Sequence, residues 1–345
     1  MVRGGGRSGA PPRRAGRALG LIGALALLFL AGACATPATQ KALTMTASPE
    51  FLPDQNAFIS FDGARLGLTA WPAETGAGPD HVVVGVHGMN DYANAFHMAA
   101  PYWAANGVQV YAYDQRGFGR SPQRGIWPDE ELMREDLRTA VNVARERHPN
   151  AVITVVGISM GGSVAISAFG SDRPPAADRL IASGPGLRGW GALNPVYRAS
   201  LWASARTRPA WVVSPPRGLV KIEPSDNTEM LVRTWQDPLM QPVNRIDQVY
   251  GVVSLMETAH KRVDRLPASL PVLMSYGARD IVIPPNGVKR TAKRLPGHVR
   301  TVYYENGYHM LLRDLQAETV QADYLAFMMD PGGDMPSRAP EWPFR

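Results

Sequence analysis

Short apolar runs ending in glycine or a polar residue recur along the chain and alternate with longer stretches of helical period. "HVVVGVHG" (81–88), "VQVYAYD" (108–114) and "AVITVVG" (151–157) are apolar at nearly every position, the pattern of strands buried on both faces. "RLIASG" (179–184), "PVLMSYG" (271–277) and "RTVYYEN" (300–306) predict three more. Between the first strands, "AFHMAAPYWAANG" (95–107) predicts a helix closed by Gly107. "PDEELMREDLRTAVNVARERH" (128–148) predicts a long amphipathic helix with acidic residues at its positive end. "AFISFDGARLGLTAWPA" (57–73) alternates like a hairpin around Asp62-Gly63. Strands alternating with helices predict an α/β fold, a mostly parallel sheet with helices on both faces.

The alternation fails between the strands at 179–184 and 271–277. More than eighty residues there carry no strong strand pattern and hold Trp190, Trp202, Trp211 and Trp235, half of the eight tryptophans. The expected element is a mainly helical cap, residues 186–265, inserted between two parts of the core at 55–185 and 266–330. Any one tryptophan is expected in the cap's own core. As a set, with Trp202 and Trp235 foremost, they suit an apolar substrate channel. The cap's excess of basic over acidic residues weakly favours an anionic lipid surface. Residues 36–54 read as a polar lead-in, and the Pro/Gly-rich residues 331–345 as a loosely held tail.

Composition narrows the class. Hydrophobic residues make up 45% and charged residues 19%, enough for a sizeable core and incompatible with global disorder. The net charge of +6 is concentrated at one end, because Arg3, Arg7, Arg13, Arg14 and Arg17 precede the first acidic residue, Glu50. Without those five the net charge is +1, which argues against nucleic acid as a partner. The same arginines lead into an uncharged run from Ala18 to Ala33, the pattern of an export signal in residues 1–35. Cys34, the only cysteine, stands where a bacterial lipoprotein box carries its lipid, whereas "ACA" equally fits cleavage after Ala35. An uncleaved anchor is the third reading, and Arg13-Arg14 resembles a twin-arginine signal. Each reading puts the folded body outside the cytoplasm, anchored at a membrane surface or free in the cell envelope, with no disulfide.

The chemistry centres on "VVGISMGGSVAI" (155–166), a serine between glycines where a strand gives way to a helix. Glycine-rich turns of this kind also occur as plain connections or phosphate cradles. The sharper reading is a nucleophile elbow that exposes the Ser159 hydroxyl. Asp280 after "PVLMSYGAR" and His309 after "RTVYYENGY" also fall at carboxyl ends of strands, where parallel sheets bind ligands. Ser159, Asp280 and His309 follow one another in the order of an α/β-hydrolase triad. Serine needs a base to accept its proton, the imidazole of His309 can accept it and return it, and Asp280 would hold the imidazole in one tautomer. "GVHGMND" (85–91) would supply a second oxyanion donor, so that the backbone N–H groups of Met89 and Met160 face the developing charge. His87 is expected to be an internal hydrogen-bonding residue, and Asp114 to tie down its own loop. The set calls for neither metal nor cofactor.

"HGMND", "YDQRGFGRS", "GISMGG", "DPL" (237–239), "GARDIVIPP" and "NGYHML" together resemble the monoacylglycerol lipase/lysophospholipase group of serine α/β-hydrolases, whose relatives include serine aminopeptidase-like sequences. The resemblance spans roughly residues 55–330. It implies the α/β-hydrolase fold and metal-free hydrolysis of monoacyl glycerides, lysophospholipids or similar carboxylic esters. The export segment, the tail and the Trp/Arg content of the cap depart from it. Ser159 excludes epoxide and haloalkane hydrolases of the same fold, which need an aspartate at the elbow. A peptidase or acyltransferase on the same triad, or a non-catalytic binding module on a hydrolase scaffold, remain the alternatives.

Overall fold

The computed structural model describes Met1 and residues 36–74, 78–213 and 223–344. The predicted export segment, with Cys34, lies outside the described residues. Nine strands form one sheet. Three are at the N-terminal edge: β1 (Glu50–Leu52), β2 (Ala57–Ile59) and β3 (Arg65–Trp71). Six follow: β4 (His81–Val86), β5 (Val108–Tyr113), β6 (Val152–Ile158), β7 (Arg179–Ser183), β8 (Val272–Gly277) and β9 (Val299–Tyr304). The spatial order is β9-β8-β7-β6-β4-β5-β3-β2-β1, parallel from β9 to β5 and antiparallel beyond. The six glycine- or polar-punctuated runs are the six parallel strands, and the Asp62-Gly63 turn joins β2 to β3 as the alternation predicts. The sheet begins earlier than predicted, because β1 lies inside the stretch read as a lead-in.

Helices α1 (Ala99–Ala105), α2 (Glu130–Arg147) and α3 (Met160–Phe169) follow β4, β5 and β6. Asp129 caps α2 by accepting from the Glu131 N–H at 2.9 Å. Residues 186–265 carry α4 (Pro195–Thr207), α5 (Thr228–Gln236) and α6 (Ile246–Arg262). The face of α6 bearing Leu255 and Ala259 is fully buried in one core with Val164, Ala165 and Ala168 of α3, so the last cap helix is anchored on the helix behind Ser159. Helices α7 (Pro285–Ala292) and α8 (Ala317–Met329) complete the layers. No helix among the described residues is long and apolar enough to cross a membrane.

The C-terminal tail corrects its expectation. Far from being loose, it covers the open edge of β9. Tyr303 N–H donates to the Pro340 carbonyl at 2.7 Å, and Trp342 Nε1 donates to the Val302 carbonyl at 3.0 Å. Trp342 is buried, and the Phe344 ring packs edge-on against Tyr276 and Tyr303. Glycine and proline rule out a regular strand here. They do not prevent single carbonyls and two aromatic rings from closing a sheet edge.

Candidate active site

Ser159 is the one residue between β6 and α3, with φ +50° and ψ −112°. That left-handed turn is strained for a residue with a side chain and is held by packing on both sides. A Cβ on Gly157 would stand 2.6 Å from the Gly161 carbonyl oxygen, and one on Gly161 would stand 2.1 Å from that of Val86. Only glycine lets the turn close this tightly against β4. The backbone of Ser159 donates to the Ser183 carbonyl at 3.0 Å, which ties the elbow to β7.

The three residues predicted from the sequence meet at the carboxyl ends of β6, β8 and β9. His309 Nε2 lies 2.9 Å from Ser159 Oγ, and His309 Nδ1 lies 2.8 Å from Asp280 Oδ2. The second oxygen of Asp280 accepts from the backbone N–H groups of Val282 and Ile283, each at 2.9 Å. Both carboxylate oxygens are thereby occupied and the imidazole faces one of them. Asp280 is 4% exposed, His309 7% and Ser159 9%, so the line is largely shielded from bulk water.

Met160 is the first residue of α3, so its N–H is one of the free donors of that helix start. Gly88 approaches the serine closely, since a Cβ there would stand 3.3 Å from Ser159 Cβ, and Met89 follows it. His87 is fully buried beside them. Its Nε2 accepts from the Gln115 N–H at 2.8 Å and its Nδ1 donates to the Gly88 carbonyl at 2.6 Å. Those partners require a neutral ring protonated on Nδ1, and burial pushes its pKa down in the same sense. Asp114 accepts from Ala93 N–H at 2.9 Å and from the Arg120 N–H and Nε at 2.8 and 2.7 Å, binding its own loop as expected.

Above Ser159 opens a cavity of about 670 Å³, walled by aliphatic and aromatic side chains. Tyr197, Leu201 and Ser204 come from α4, and Ile246, Val249, Val253 and Met256 from α6. Val282 and Ile283 close it from the loop after Asp280. The tryptophan assignment is wrong. Trp202 and Trp235 are 53% and 62% exposed and neither lines the cavity. On α4 the inward residues are 197, 200, 201 and 204, and position 202 is rotated about 100° from Leu201, away from the cavity. Trp190 packs edge-on against Tyr250, 5.1 Å between ring centres.

Three charged features escaped the sequence reading. Arg116 is buried between Asp62 and Asp136, its Nη2 2.7 Å from Asp62 Oδ1 and its Nε 2.7 Å from Asp136 Oδ2. Arg313 pairs with Asp91 at the cavity wall, and Arg188 lines the cavity too. Partners distant in sequence define the first two, and Arg188 is marked only by its place in the cavity wall, so no local pattern shows any of them. Among the described residues no cluster of three or more His, Cys, Asp or Glu side chains is arranged to hold a metal ion.

The sheet order and the hydrogen-bonded serine, histidine and aspartate define the class: a serine hydrolase of the α/β-hydrolase fold. Residues 77–316 match the family described as serine aminopeptidase, S33 (Hydrolase_4), and the chain belongs to it. A monoacylglycerol lipase of Mycolicibacterium smegmatis is 27% identical over 80% of this chain and 96% of its own length. A monoglyceride lipase of Rattus norvegicus is 26% identical over 79% of the chain and 89% of its own length. Among solved structures, the monoacylglycerol lipase of Paleococcus ferrophilus superposes with a TM-score of 0.64 at 24% identity, over 77% of this chain and 99% of that one. A soluble variant of the Saccharomyces cerevisiae monoglyceride lipase gives 0.66 at 19% identity, over 87% and 100%. Both show the same fold.

Proposed function

We propose that this enzyme hydrolyses fatty-acyl monoesters, monoacylglycerol or a similar lysolipid, through an acyl-enzyme on Ser159. The observation that carries the reading is the hydrogen-bonded line Asp280–His309–Ser159 at the floor of a cavity walled by α4 and α6. In the proposed reaction Ser159 Oγ attacks the ester carbonyl carbon while its proton passes to His309 Nε2. The Met89 and Met160 N–H groups receive the oxyanion. The C–O bond to the alcohol breaks as His309 returns the proton to it, and Asp280 stabilises the imidazolium between the two transfers. Water, activated by His309, then releases the fatty acid and restores Ser159. The relatives named monoacylglycerol lipase and monoglyceride lipase support the substrate class.

An acyl-chain panel tests the reading. Each buried methylene is worth about 0.8 kcal/mol, or about fourfold in kcat/KM, until the cavity is full. Dodecanoyl monoesters are expected to exceed acetyl esters by well over tenfold, and Val253→Trp in the cavity wall to flatten that slope. A profile flat in chain length, or highest at acetate, would contradict a lipid ester as substrate. The proposal extends to the N-terminus: lipidation of Cys34 would hold the enzyme at a membrane surface. Cys34→Ser would then shift protein from the membrane to the soluble fraction.

A further inference from the structure

The cavity is apolar on most sides, yet Arg188 stands in its wall. Arg188 is half-buried in the loop after β7, and its Nε is enclosed with no acceptor among the described residues. The acidic side chains beside it are committed elsewhere. Glu257 gives both oxygens to Arg290, at 2.7 and 2.8 Å, and accepts the Gly191 N–H as well, at 2.9 Å. Asp91, across the cavity, is taken by Arg313, and Asp280 by His309 and two backbone N–H groups. None of the residues outside the described set carries an acidic side chain, so no hidden aspartate or glutamate neutralises it. The loop itself is fixed: Leu187 is fully buried, and Asn286 Nδ2 donates to the Ala192 carbonyl at 2.8 Å.

An arginine whose Nε is shut away without an acceptor, and whose side chain lines the cavity, favours an anionic partner there. A fatty-acyl chain and a neutral glycerol offer it no charge. We infer that Arg188 is a specificity-determining residue, selecting acyl esters that carry an acidic oxygen group, a phosphate or a carboxylate. This rests on the ester-hydrolase reading and narrows its substrate. The fork of the guanidinium suits two oxygens of such a group, and a charge-assisted pair formed away from water outweighs an ordinary hydrogen bond.

Three esters of one dodecanoyl chain test the inference: 1-dodecanoylglycerol, 1-dodecanoylglycerol 3-phosphate and O-dodecanoyl lactate. The readout is kcat/KM on each anionic ester divided by that on the neutral one, for wild type, Arg188→Gln and Arg188→Lys. In wild type one anionic ester is expected to match or exceed the neutral one, and which of the two does so identifies phosphate or carboxylate. Arg188→Gln is expected to lower that ratio about ten- to a hundredfold, with Arg188→Lys restoring part of it. A ratio that stays within about twofold in Arg188→Gln overturns the inference, as does a wild type that cleaves only the neutral ester. Those results leave the ester-hydrolase reading standing. A wild type that cleaves none of the three overturns both.

Discussion

His87 holds the peptide that joins Gly88 to Met89, its Nδ1–H donating to the Gly88 carbonyl at 2.6 Å. In a trans peptide the carbonyl and the following N–H point in opposite directions, so fixing one aims the other. His87 is itself aligned by the Gln115 N–H, and Gln115 Nε2 donates back to the His87 carbonyl at 2.7 Å. If the Met89 N–H receives the oxyanion, His87→Gln should lower kcat about ten- to a hundredfold while KM moves by less than about threefold. Steady-state kinetics on one ester check this. A rise in KM at constant kcat would give His87 a role in substrate binding instead.

Arg116 is the second test of how the site is held. It fastens the Asp62 turn and α2 through Asp136 to the loop that follows β5. Removing it leaves two carboxylates buried without their cation, a loss of about 3–5 kcal/mol. Arg116→Met is therefore expected to lower the urea midpoint strongly, at an unchanged denaturant slope. A shift below about 1 kcal/mol would show that water reaches the cluster.

Asp314 predicts a pH dependence of stability. Burial pushes its pKa up, to about 6, while its Oδ2 accepts from the Tyr308 N–H beside His309 at 2.7 Å. The folded form thus holds its proton more tightly than the unfolded form, whose carboxyl titrates near 4. The stability gained from the protonated group is fully present below about pH 4 and is lost as pH rises through about 6, at most a few kcal/mol. Asp314→Asn does not titrate, so its stability relative to wild type should climb between about pH 4 and 6 and then level. Thermal unfolding across that range checks it, and a difference independent of pH would place the Asp314 pKa at its ordinary value.

The fold was legible because its signals are local. Runs apolar at every position mark strands covered on both faces, and the Gly157–Gly161 spacing marks a turn that admits no side chain. The hydrogen-bonded line of the candidate site was legible because strand ends place residues, and Ser159, Asp280 and His309 each follow a strand. "YDQRGFGRS" was visible as a motif, but its work is visible only in three dimensions: Gln115 sets His87, Arg116 clamps two distant aspartates, and Arg120 holds Asp114. The cap was legible as helical and illegible in facing. Helix α4 exposes Trp202 and turns the smaller Leu201 inward, so residue size is a poor guide to which side meets the substrate. In the tail, composition hid Trp342 and Phe344, whose burial depends on the edge of β9.

Covalent labelling decides whether Ser159 is the nucleophile. A fluorophosphonate probe reacts with an activated serine, and peptide mass spectrometry locates the adduct. One adduct is expected, on the peptide containing Ser159, and none in a folded Ser159→Ala variant whose ester hydrolysis falls by about 10⁴–10⁶. An adduct on another serine, or a Ser159→Ala enzyme that keeps most of its activity, would contradict it.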